Sequence, residues 1–153
     1  MKGNCHRDES VLKFAIFSSS ILLGNLLLAI LSAATVQSSY AENGIVVDAS
    51  IENKVISFKI SNSDDSPDLY GFIVAIHGHK HYSKISETPP GWTAGTIKYQ
   101  AVMWLTKDYP IQAGTTEDGF AIEIKQQDKY TVRWSVMDKT SQPIAWGIIN
   151  IDG

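Results

Sequence analysis

The stretch AIHGHKHY at residues 75–82 holds three of the four histidines in the chain: His77, His79 and His81, each two residues from the next. In an extended strand such positions project from one face, about 6.5–7 Å apart in succession. Adjacent members then reach one metal ion, and all three share it only if the strand bends, which Gly78 permits. Neutral imidazole suits Cu²⁺, Zn²⁺ and Ni²⁺. The three positions share the parity of Leu69, Gly71, Ile73 and Ala75, opposite to Phe72, Val74 and Ile76. If the larger set faces the core, the histidines face out. The bland alternative is a solvated strand end. A third reading is a pH-dependent surface, since three close imidazoles titrate at about pH 6–7 and repel one another.

Other residues offer weaker chemistry. Asp64, Asp65 and Asp68 in NSDDSPD are hard oxygen ligands of the kind calcium takes, but their spacing is not that of an EF-hand and Asp-Ser-Pro segments are ordinary turns. Trp92 and Tyr109 fall in loops and Trp146 on the last strand. Such aromatics form platforms for a sugar ring or a protein partner when exposed. Trp92 can instead fold back as a plug over one end of the domain. No G-x-S-x-G elbow or other nucleophile motif occurs, so the expectation is a protein without catalytic residues.

The elements that must position these residues are strands. After residue 41 no helical periodicity is sustained, and period-two alternation recurs instead. KVISFKISN sets Ile56, Phe58 and Ile60 against Ser57 and Lys59; GFAIEIK sets Phe120, Ile122 and Ile124 against Glu123 and Lys125; YTVRWSVMD sets Tyr130, Val132, Trp134 and Val136 against Arg133 and Ser135. IVVDASI, LYGFIVAI, IKYQAVMWLT and PIAWGIINI complete the set, with turn-forming Asn, Asp, Ser, Gly and Pro between. About seven or eight short strands so punctuated predict a single antiparallel β-sandwich. Its core is expected to rest on Phe58, Phe72, Phe120, Trp134 and Trp104.

The N-terminus reads as a targeting segment. Lys2, Arg7 and Lys13 precede a charge-free run of 23 residues, 14–36, and then Ser39 and Ala41 at small-residue positions before Glu42. This predicts a signal peptide over 1–41, with an apolar helix, and a β-sandwich over 42–153 exported by the Sec-type route. The run is also long enough for an uncleaved membrane anchor, so membrane contact is expected only through 14–36. Either way the domain is extracellular or at the cell surface. Residues 42–153 carry 10 Lys and Arg against 14 Asp and Glu and no cysteine, because Cys5 lies in the leader. The absence of a basic stripe argues against nucleic acid as a partner. The absence of thiols excludes thiolate metal sites and disulfide staples.

Residues 89–92 (PPGW), 102–104 (VMW), 110–114 (PIQAG), 119–120 (GF) and 130–147 (YTVRWSVMDKTSQPIAWG) together resemble secreted immunoglobulin-like and fibronectin-III-like domains. The likeness covers about half of the chain and marks a way of building sandwiches rather than one activity. A narrower likeness is to exported copper-binding domains of bacterial copper-uptake systems. That family places a histidine ligand at the mature N-terminus, where this chain has Glu42. These readings predict a non-catalytic binding or accessory module for an envelope protein or glycan, without a cofactor, contacting it through Trp92, Tyr109 and Trp146. The alternative is a Cu- or Zn-binding domain using His77, His79 and His81.

Overall fold

β-Branched and aromatic residues at every second position suit a pleated surface with one face buried. Ile56, Phe58 and Ile60 accordingly point into the core from one strand while Ser57 and Lys59 point out. The computed structural model describes residues 36–41, 43–77, 82–97, 101–126 and 128–152. Within them run ten strands: β1 (Gln37–Tyr40), β2 (Val46–Glu52), β3 (Val55–Ser61), β4 (Gly71–Ile76), β5 (Tyr82–Glu87), β6 (Thr93–Ile97), β7 (Ala101–Leu105), β8 (Thr116–Ile124), β9 (Tyr130–Met137) and β10 (Pro143–Ile151). They form two antiparallel five-stranded sheets, β1-β2-β3-β8-β5 and β10-β9-β4-β7-β6, and thus a β-sandwich. Among the described residues no helix is long and apolar enough to cross a membrane. The expected apolar helix over 14–36 lies outside the described residues, apart from Val36.

The inner faces interlock through rings. Phe72 of β4 lies 5.7 Å from Phe58 of β3 and 5.3 Å from Phe120 of β8, both edge to face, and stacks on Trp104 at 5.7 Å. Edge-to-face and offset geometries set ring edges against ring faces and add to the area term. Trp104 is fully buried and its indole N–H donates to the Glu87 carbonyl at 3.2 Å, fastening β5 to the opposite sheet. Phe58, Phe72, Phe120, Trp104 and Trp134 are each at most 2% exposed, as the alternation predicts.

The turns follow from residue type. Asn53 and Lys54, both at positive φ (50° and 67°), close the two-residue hairpin between β2 and β3, the handedness that matches strand twist. Asp138 begins the β9–β10 turn, and one carboxylate oxygen accepts from the Thr140 N–H, the Thr140 hydroxyl and the Gln142 N–H. Those donors favour the carboxylate and hold its pKa below the ordinary value, the Gln142 N–H contributing most.

Three of the ten strands, β1, β5 and β6, exceed the seven stretches read from alternation, and all three lie at sheet edges. These three carry little apolar alternation, unlike β10, the fourth edge strand, which is buried at every second residue from Ala145. β1 also lies on the N-terminal side of the expected cleavage point after Ala41. It pairs with β2 from Gln37↔Ala49 to Tyr40↔Val46, within a compact unit spanning Ala34–Gly153. A chain cut after Ala41 would lose this strand and bare the edge of β2.

Candidate functional site

Register places outward-facing residues of the second sheet in rows. One row runs Trp146–Ser135–Ile73–Met103–Gly95 across β10, β9, β4, β7 and β6; the next runs Ile148–Arg133–Ala75–Ala101–Ile97. Arg133 is the single charged side chain in the two rows. The Ser135 hydroxyl is occupied, donating to the Ala145 carbonyl at 3.1 Å. Trp146 is 73% exposed, Ile148 48% and Ile97 37%, while Ile73, Ala75, Ala101 and Met103 are half-buried. These two rows are mostly apolar although they face outward, unlike the rows at the sheet's ends, which carry Thr131, Asn150 and Thr93.

At the edge of that face lies a groove between β1 and β10, of about 470 Å³, within the range of small-ligand clefts. It exists because the facing residues are small: Ser39 on β1, and Ala145 and Gly147 on β10. A Cβ at Gly147 would sit 2.6 Å from Cε2 of Trp134 and 2.7 Å from the Ser39 oxygen, so only glycine lets ring and hydroxyl close in. Tyr40, 75% exposed, and Trp146 both line the opening. Asn43 in the β1–β2 turn donates its amide to the Ile144 carbonyl at 2.6 Å, tying that turn to β10. The Trp134 indole nitrogen, bonded to the carbon that crowds Gly147, is buried and has no hydrogen-bond partner. Leaving such a donor unmade costs roughly 1–3 kcal/mol.

The aromatic residues predicted to share a contact surface do not come together. Trp92 is 7% exposed and its ring meets Phe120 edge to face at 5.1 Å. The cause is the turn that carries it: the Trp92 N–H donates to the Pro89 carbonyl at 3.1 Å, with Pro90 and then Gly91 at φ 79° between, the type II pattern. This geometry folds the indole inward, so Trp92 is a core residue and not a contact residue. Tyr109 is 64% exposed and lies over Gly91; Thr106 ties the two loops, donating to the Gly91 carbonyl and accepting from the Tyr109 N–H. Trp146 is separated from the β7 end that leads to Tyr109 by β9 and β4, about 14 Å of sheet. Tyr40, which sequence reasoning left in the leader, is the aromatic that shares a groove with Trp146. Only its pairing in β1 reveals it.

β4 ends at Ile76, and His77 sits in a bend beyond it, exposed, its N–H donating to the Thr131 carbonyl at 3.1 Å. His79 and His81 lie outside the described residues. The chain crosses from one sheet to the other between β4 and β5. Among the described residues no group of three or more His, Cys, Asp or Glu side chains is arranged to hold a metal ion, Asp64, Asp65 and Asp68 included. Asp68 serves its loop, accepting the Ala113 N–H at 3.1 Å.

No protein-family model and no curated relative matches the chain.

Proposed function

We propose that the chain is an exported, non-catalytic, immunoglobulin-like β-sandwich that works at the cell surface or outside it by binding an envelope protein or glycan. What carries this reading is the apolar outer face of the second sheet, with Trp146 and Ile148 standing exposed at its β10 edge. Apolar rows on an outer face gain free energy only when something covers them. The contact surface is those two rows, in which Arg133 is the one charge among the described residues.

The test is co-sedimentation of the detergent-solubilised chain with lipid-extracted envelopes of the source cell. The wild type sediments; a Met103→Lys/Ile148→Lys variant stays in the supernatant while keeping its unfolding transition. A variant that sediments like the wild type would remove the surface from consideration.

The second reading is binding of Cu²⁺ or Zn²⁺ through His77, His79 and His81. It draws on the exposure of His77 at the end of β4. Titration of the untagged chain decides it: equal affinity in a triple His→Ala variant rules the reading out.

A further inference from the structure

We infer that the groove between β1 and β10 is a binding site for a neutral saccharide, with Trp146 and Tyr40 stacking on pyranose faces. The inference rests on the binding reading above and names the ligand class for one part of that surface.

Three observations point the same way. First, the opening is flanked by two aromatic side chains that the fold leaves bare, Tyr40 at 75% and Trp146 at 73% exposed. Neither ring serves the core, and each has an apolar face with a polar tip, the pairing that suits a sugar's C–H face and hydroxyl rim. Second, among the described residues no charged side chain lines the groove. An anionic ligand such as a phosphate or a uronate would find no cation among those residues. Third, the polar groups on hand are neutral: the Ser39 hydroxyl, the Asn43 amide and the two aromatic tips. They form hydrogen bonds to hydroxyls without a desolvated charge to compensate.

The experiment titrates the full-length chain with cello-, malto-, manno- and β-1,3-gluco-hexaose, read by calorimetry and tryptophan fluorescence. At least one is expected to bind and to perturb the fluorescence. Tyr40→Ala and Trp146→Ala should each weaken that binding about tenfold, the equivalent of roughly 1.4 kcal/mol, while Tyr109→Ala leaves it unchanged. Both substitutions are at exposed positions, and unaltered thermal unfolding verifies the fold. The inference is overturned if no hexaose binds, if binding survives both substitutions, or if a hexauronate or an apolar peptide binds the groove in preference. Should the sugars fail while envelope sedimentation still depends on Met103 and Ile148, the saccharide is wrong and the binding reading stands. Should both fail, both are wrong.

Discussion

The two sheets turn opposite chemistries outward. On the first, the exposed side of β1, β2, β3, β8 and β5 shows Ser38, Asp48, Ser50, Ser57, Lys59 and Glu123, with Lys84 paired to Glu123 at 3.0 Å. On the second, the equivalent side shows Trp146, Ile148, Ile73, Met103, Ala75 and Ile97, with Ser135 and Arg133 of β9 between them. Both sheets share one aromatic core, so folding alone asks the same of each outer face. The first keeps the alternation that folding next to water requires, whereas on the second β9 keeps it, with Thr131, Arg133 and Ser135 outward, and its neighbours β4 and β7 do not. The extra apolar rows of the second contribute little to the isolated fold, and their presence points to something outside it.

The comparison can be tested first at its base. Phe72→Ala removes the ring that touches Phe58, Trp104 and Phe120, and is expected to cost about 3–5 kcal/mol in urea unfolding. Ile148→Ala on the outer face should fall within about 0.5 kcal/mol for the free chain. A large loss there would mean that the face is already buried against something in solution.

At the corner where the faces meet, Gly147→Ala drives a methyl into the Trp134 ring and the Ser39 hydroxyl. The expected loss is about 1–3 kcal/mol, measured by denaturant midpoint. An unchanged midpoint would show that β1 does not stay packed on β10.

On the polar face, breaking the Lys84–Glu123 pair with Lys84→Met should cost at most about 1 kcal/mol and less at high salt, because the partners are 67% and 38% exposed. The same variant should leave envelope sedimentation untouched. If it abolishes sedimentation, the polar face is the contact surface.

The smallest effect is expected at the β9–β10 turn. The Asp138 carboxyl is held below its ordinary value of 3.8, so its stabilising contribution is full above that value and is lost as pH falls through the lowered one. Asp138→Ala should lower the melting temperature slightly at neutral pH, and the gap to wild type should close below pH 3.8. A gap that persists in acid would assign the loss to turn conformation rather than to the charge.

Much of the fold was legible in the chain. Alternation at Ile56, Phe58 and Ile60, at Phe120, Ile122 and Ile124, and at Tyr130, Val132, Trp134 and Val136 named residues that the structure buries at 3% or less. The strands that escaped were β1, β5 and β6, where one side of the strand meets solvent and TAGTI or QSSY carries no apolar rhythm. The candidate site was legible only in part. Trp146 and Ile148 lie on a strand that is apolar at both parities up to Asn150, and such a run does not reveal which set faces out. PPGW marked a turn correctly but could not tell that its tryptophan folds inward onto Phe120. Tyr40 was hidden because the same residues also read as a cleavage site.

The sequence by itself determined the local terms: strand period, turn positions, the aromatic content of the core, the lack of thiols and the charge balance. These depend on neighbours a few residues away, where side-chain parity and backbone preference act directly. Tertiary structure decided which apolar face became the core, which strands became edges, and that Ser39, Tyr40 and Trp146 meet across more than a hundred residues of chain. Those outcomes depend on strand order and register, which are fixed by packing between segments far apart in sequence.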